Sequence, residues 1–263
     1  MNILLARDAR PVIGHRGNRA HAPENTIESF AQAVSLGADA LEFDVHLCAD
    51  GIPVVHHDAT LARTTDGEGE IARLTFAELR KVDAGSKFTT DNGKTFPYRG
   101  QGHRIPSFQE VLEAFPTTPL LIEIKAALAA TQVKRIIEEL GATERVVVDS
   151  FKPEALKIFR DSGIATGASR NGIARILRES LGGKSAGPVD FRVLCTPLTY
   201  YGMPLPVKRF PRVATRHDVR VHVWTVNDTG IARDLWMAGV NGIITDDPAV
   251  MLDLRSTLAV TYR

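Results

Sequence analysis

Short runs of β-branched and other apolar residues alternate along this chain with longer stretches in which apolar positions recur every three to four residues. The short runs, at 11–17, 40–47, 119–125, 145–150, 164–169, 191–196, 220–225 and 240–245, predict eight strands. The longer stretches, at 26–36, 131–140, 153–162, 172–181, 206–217, 229–238 and 248–258, carry helical spacing and predict helices between them. Pro153, Pro206 and Pro248 stand at the predicted first turns of three of these, where a missing N–H costs nothing. Strands that alternate with helices imply a parallel sheet, and eight such units imply a closed α/β architecture, the (β/α)8 TIM barrel.

The rhythm breaks after the second strand. Asp50-Gly51 is a tight-turn signal between apolar runs, so GIPVVHH at 51–57 predicts a short returning strand. From 58 to 107 the chain is polar and glycine-rich (TTDGEGE, DNGKTFPYRGQGHR), with one predicted helix at 76–82. That is longer than an ordinary connection, and we expect an ordered cover over the barrel mouth, an insertion at about 59–106 within a single domain spanning 1–263.

Composition narrows the partners. Hydrophobic residues make up 44% and charged residues 24%, the balance of a globular chain with a real core. Lys+Arg 32 against Asp+Glu 31 leaves a net charge of +1, too little to hold a polyanion indiscriminately, so nucleic acid is not an expected partner. Two cysteines, Cys48 and Cys195, are too few for a disulfide framework and read as small packing residues in a reducing compartment. The apolar run at 3–6 is shorter than a signal-peptide core, and no stretch approaches the roughly 18–20 apolar residues a bilayer span requires. A soluble cytoplasmic protein with no stable membrane insertion is expected. Oligomeric state has no signature here.

Candidate chemistry gathers at strand ends. Glu42 and Asp44 are two apart in ALEFDVHL, so on a strand both side chains leave the same face. Paired acids are costly to bury without a cation, and a hard divalent ion such as Mg2+ or Ca2+ takes oxygen ligands; a plain ion-pair network is the alternative. Glu123 and Lys125 repeat the spacing in LLIEIKA, at the C-terminal end of the next predicted barrel strand, where barrel enzymes keep their active residues. Lys125 suits either a negatively charged substrate group or simple neutralisation of the acids.

His15 ends the first strand in VIGHRG, and Arg16 beside it offers a fork suited to phosphate oxygens. His56 and His57 close the returning strand in VVHHD and point to opposite sides, so at most one enters a site. Asn25 with Glu28 resembles a helix-capping pair, although Asn25 also suits the mouth. Trp224 in HVWTVN is an apolar wall or a core residue, and His222 reads as structural.

Taken together, HRGNRAHAPENTIESF and GADALEFDVHLCADGIPVVHHDATLARTTDGEGEI, followed in order by LTFAELRKVDAG, RIPSFQEVLE, IEIK, DSF, HVWTVN and GIITDDP, resemble the glycerophosphodiester phosphodiesterase family over nearly the whole chain. Departures are minor: Cys48 stands where threonine is usual and Asn18 where a small residue is usual. The resemblance implies Glu42, Asp44 and Glu123 as ligands of one divalent cation and His15 and His57 as an acid–base pair. It further implies Arg16 and Lys125 on phosphate oxygens and Trp224 beside the alcohol. The implied substrate is a small-molecule glycerophosphodiester, cut to sn-glycerol 3-phosphate and an alcohol. Competing readings are a lysophospholipase D or phospholipase D type of hydrolase, and a non-catalytic phosphodiester-binding barrel.

Overall fold

A computed structural model describes residues 2–185 and 187–261. In chain order its strands are β1 (Val12–His15), β2 (Ala40–Leu47), β3 (Pro53–Val55), β4 (Leu120–Ile124), β5 (Val146–Asp149) and β6 (Ala165–Thr166). They continue with β7 (Val193–Pro197), β8 (Thr199–Tyr200), β9 (Met203–Pro204), β10 (Arg220–Trp224) and β11 (Gly242–Thr245). The helices are α1 (Ile27–Ser35), α2 (Phe76–Leu79), α3 (Phe108–Ala114), α4 (Ala130–Glu139), α5 (Pro153–Leu156), α6 (Arg170–Ser180), α7 (Phe210–Ala214), α8 (Thr229–Met237) and α9 (Pro248–Thr261).

Eight strands run parallel in the order β6-β5-β4-β2-β1-β11-β10-β7, and β3 adds to β2 antiparallel. A parallel bridge from Gly167 to Val193 joins the two ends. Around it, Ala168 N donates to Val193 O and Arg192 N to Thr166 O, each at 2.8 Å. The architecture is therefore the predicted (β/α)8 barrel, closed by its weakest seam. Among the described residues, no helix is long and apolar enough to cross a membrane.

The two-residue period of each strand sorts side chains between shell and interior. Leu41, Phe43 and Val45 of β2 pack outward with Phe30, Phe108, Ile122 and Val148 in one half of the shell. The other half gathers Val12, Leu194, Val221, Ile243 and the helices over them. Inside the barrel, Ile13, Ala40, Leu121, Val147, Val193 and Ile244 form a floor with Leu4, whose short N-terminal turn lies beneath. There the buried His222 Nε2 donates to Leu4 O at 3.0 Å. Burial on this scale, about 25 cal/mol per Å2 of apolar surface, is what holds the acids above the floor in place.

Several elements differ from expectation. The predicted strand at 164–169 shrinks to β6, because Ser169 already serves as N-cap of α6. The predicted helix at 206–217 is broken: Pro211 cannot donate an interior hydrogen bond, so a 3-10 turn at Val207–Arg209 precedes α7 and another follows it. The stretch at 153–162 likewise divides into α5 and a 3-10 turn at Lys157–Phe159. Helix α3 was not expected, although Ser107 and Glu110 form a full capping box at its start. Asn25 is not the cap of α1; Thr26 is, accepting from Ser29 N, while Asn25 adopts φ 58.

The segment after β3 has its own small core of Leu61, Ile71, Leu79, Ala84 and Ile105, packed with Cys48 and Val54. It is anchored to the β1–α1 side, where Tyr98 OH donates to His21 O and accepts from Gln32 Nε2.

Candidate active site

Inward positions at the C-terminal ends of the strands are polar. In register, His15 of β1 lies beside Glu42 of β2, Asp44 beside Glu123 of β4, and Glu123 beside Asp149 of β5. A pocket above the floor is lined by these residues with Arg16, His57, Lys125, Phe151, Cys195 and Trp224. His15, Arg16, Glu42, Asp44, His57, Glu123, Lys125 and Trp224 therefore meet in one cup, and Asn25 touches it from behind through Asp44, its Nδ2 lying 3.2 Å from Oδ2. Trp224 is half-buried and meets Phe151 edge-on at 6.3 Å between ring centroids.

Glu42, Asp44 and Glu123 each present an oxygen, and the three atoms lie within 4.8 Å of one another. Two cations face them. Lys125 Nζ sits 3.0 Å from Asp44 Oδ1 and 2.8 Å from Glu123 Oε2, and Arg16 Nε lies 3.2 Å from Asp44 Oδ2. The Arg16 pair is off line, so this buried Nε has no hydrogen-bond acceptor. Burial opposes ionisation of Asp44, yet Lys125 and Arg16 hold its carboxyl below the ordinary value. Glu42 has no lysine or arginine in ion-pair contact among the described residues; Arg16 and Lys125 act on it only from farther off, and burial with the Asp44 charge pushes it well above the usual range. Burial also raises Glu123. Three oxygen donors with surplus negative charge are a set that a hard divalent cation fits, and such an ion would relieve the repulsion at Glu42.

Each flanking imidazole is held from behind by a carboxylate. His15 Nδ1 lies 2.6 Å from Asp246 Oδ1, and its Nε2 faces Glu42 Oε2 at 4.0 Å. His57 Nδ1 lies 2.5 Å from Asp58 Oδ1. A proton on Nδ1 toward each carboxylate leaves Nε2 as the free, basic atom on the pocket side. Burial lowers the pKa of both rings, which keeps them neutral and able to accept a proton. His56 turns away, its Nδ1 on Asp58 O and its Nε2 near Thr64.

Backbone conformation sets Arg16 at this rim. Its φ is 55, its N–H donates to Glu42 O at 2.8 Å, and Gly17 follows at φ 92. A Cβ on Gly17 would come within 2.6 Å of the Ser29 backbone, so glycine is what lets the chain turn against α1.

Sequence reasoning missed Asp58, Asp246, Asp149 and Cys195. Asp246 follows the last residue of the last barrel strand, and Asp149 ends VVVD, so the rule that barrel sites occupy strand C-termini pointed to both. Burial and Glu123 push Asp149 up to about 7, and Asp149 in turn, with burial, raises the Cys195 thiol.

Fold and site together define a barrel hydrolase equipped for a phosphate diester. The chain belongs to the glycerophosphoryl diester phosphodiesterase family, whose model matches residues 15–250. It is 34% identical over 254 residues to the glycerophosphodiester phosphodiesterase of Caldanaerobacter subterraneus subsp. tengcongensis, covering 92% of this chain and 96% of that one. The glycerophosphoryl diester phosphodiesterase domain of a Mycobacterium tuberculosis protein superposes with TM-score 0.82 at 21% identity, over 94% of this chain and 99% of that chain. An Oleispira antarctica phosphodiesterase, solved in complex with the product sn-glycerol-3-phosphate, superposes with TM-score 0.76 at 26% identity, over 94% and 97%.

Proposed function

We propose that this phosphodiesterase hydrolyses glycerophosphodiesters such as glycerophosphocholine or glycerophosphoethanolamine to sn-glycerol 3-phosphate and an alcohol, using His15 and His57 as its acid–base pair. One arrangement carries the reading: two imidazoles, each held at Nδ1 by a carboxylate, flank a cup that contains the clustered acids Glu42, Asp44 and Glu123 together with Asp149, a lysine and an arginine. The product-bound Oleispira antarctica neighbour supports the substrate class.

Glu42, Asp44 and Glu123 would hold one divalent cation, Mg2+ or Ca2+. Bound there, it would polarise the phosphoryl centre as a Lewis acid. Arg16 and Lys125 orient the phosphate oxygens, and Trp224 with Phe151 borders the alcohol moiety. One histidine takes the proton of the glycerol 2-hydroxyl as its oxygen attacks phosphorus. The other gives a proton to the departing alkoxide as the phosphorus–oxygen bond to the alcohol breaks. Water then opens the cyclic phosphate with the two roles reversed. Residues 1–263 act as one unit in this scheme, with 59–106 as its cover.

Coupled detection of glycerol 3-phosphate from a panel of glycerophosphodiesters, and of choline from one lysophosphatidylcholine, with Mg2+, with Ca2+ and with EDTA, tests the proposal. Metal-restored release of glycerol 3-phosphate is expected; activity that survives EDTA, or is confined to the lysophospholipid, overturns it.

A further inference from the structure

Behind the pocket, both histidines lead back to a single carboxylate. Glu24 lies in the loop between β1 and α1, its side chain is 9% exposed, and it does not line the cup. Its Oε1 accepts from Arg16 Nη1 at 2.8 Å and Arg63 Nη2 at 2.7 Å; its Oε2 accepts from Arg19 Nε at 3.0 Å and Arg63 Nη1 at 2.9 Å. Every arginine then reaches onward to a second acid. Arg19 Nη1 donates to Asp246 Oδ1 at 3.2 Å, the oxygen that also meets His15 Nδ1. Arg63 Nε donates to Asp58 Oδ2 at 2.5 Å, while the other oxygen of that carboxylate meets His57 Nδ1. Arg16 pairs with Asp44.

Asp44, Asp246 and Asp58 already supply one carboxylate for each of the three arginines, so charge balance alone does not account for Glu24. Four acids and three arginines form the cluster, and each arginine spans two acids. The Arg63–Glu24 contact is bidentate, the geometry that fixes a guanidinium plane rather than merely attracting it. Burial opposes the Glu24 charge, yet the surrounding arginines hold its carboxyl far below the ordinary range.

We propose that Glu24 is the positioning residue for both imidazoles: through Arg19 and Arg63 it sets the carboxylates of Asp246 and Asp58, and so fixes the two rings relative to each other. The inference rests on the acid–base reading of His15 and His57 given above. It also makes the segment after β3, which supplies Arg63, part of the frame of the acid–base pair.

The wiring is tested with Glu24→Gln, Arg19→Ala and Arg63→Ala, assayed on glycerophosphocholine with saturating Mg2+ or Ca2+. Arg63 is 43% exposed, so its variant folds even if the buried Glu24→Gln does not. Arg63→Ala is expected to lower kcat by about 10- to 100-fold with KM within about threefold, the scale for losing an orienting partner behind a working histidine. Its cost should persist in a His15→Ala background and largely vanish in a His57→Ala background; Arg19→Ala should show the reverse. Equal costs in both backgrounds, or a change in KM alone, overturn the proposal.

A second readout needs no turnover. In 15N histidine side-chain spectra of the substrate-free protein, Glu24→Gln should mix the Nδ1–H tautomers of His15 and His57 while the Nε2–H of His222 stays unchanged as a folding control. Unaltered His15 and His57 signals overturn the wiring. A wild type that releases no glycerol 3-phosphate instead overturns the functional reading, and the spectra still decide the role of Glu24.

Discussion

The Nδ1 of His57 and the Oδ1 of Asp58, the next residue in the chain, lie 2.5 Å apart. Neighbours on a strand point to opposite faces, so this contact requires that the chain has already left β3, which ends at Val55. The turn brings acid and base together from adjacent positions. Asp58→Asn keeps the size but removes the negative partner of the ring. It should lower kcat by about 10- to 100-fold with little change in KM. Steady-state kinetics with glycerophosphocholine check this, and wild-type kcat would remove Asp58 from the proposed mechanism.

Glu42 should show a trade between stability and activity. Its carboxylate is buried beside Asp44 without a cation of its own, so Glu42→Gln relieves repulsion when no metal is bound. In EDTA the variant should melt about 2 °C or more above the wild type, corresponding to roughly 1 kcal/mol. It should also lose Mg2+ or Ca2+ binding by titration calorimetry, and with it hydrolysis. A variant that melts lower in EDTA yet still binds metal contradicts this account.

His222 predicts an acid-sensitive floor. Its Nε2–H is given to Leu4 O, its buried Nδ1 has no partner, and burial lowers its pKa to about 4 from 6.5. Between those values the unfolded chain binds a proton that the native ring refuses, so stability is full above about pH 6.5 and falls toward pH 4. The share lost between pH 7 and pH 5 is about 2 kcal/mol. His222→Gln keeps a donor but cannot titrate. Urea unfolding at the two pH values should show a smaller decline for the variant by about that amount.

Gly167 leaves room for the acid on the next strand. A Cβ there would meet Asp149 Oδ1 at 2.2 Å and its Cγ at 2.6 Å. Gly167→Ala should therefore cost about 1–3 kcal/mol, the range for overpacking a filled interior. Urea denaturation measures it; an unchanged midpoint would mean that the Asp149 side chain swings away freely.

The barrel and most of the cup were legible because a strand has a period of two. Glu42, Asp44, Glu123 and Lys125 alternate with apolar residues, so one rule assigned them a shared face and a strand end. Asp58, Asp246 and Glu24 were less visible, since they act through partners distant in sequence or at turns where no period applies. Arg63 to Glu24 is a contact across 39 positions, and His15 to Asp246 across 231. Local pattern also misplaced the cap of α1, because Asn25 was taken by the tertiary bond to Asp44.

The bridge that closes the barrel between β6 and β7 lies diametrically opposite the junction of β1 with β2, with four strands on either side. A split washer gapes at its cut and hardly shifts at the far point. Any loosening of this ring is accordingly expected first beside Gly167, held by a single bridge, while His15 and Glu42 keep their registry across an unbroken ladder.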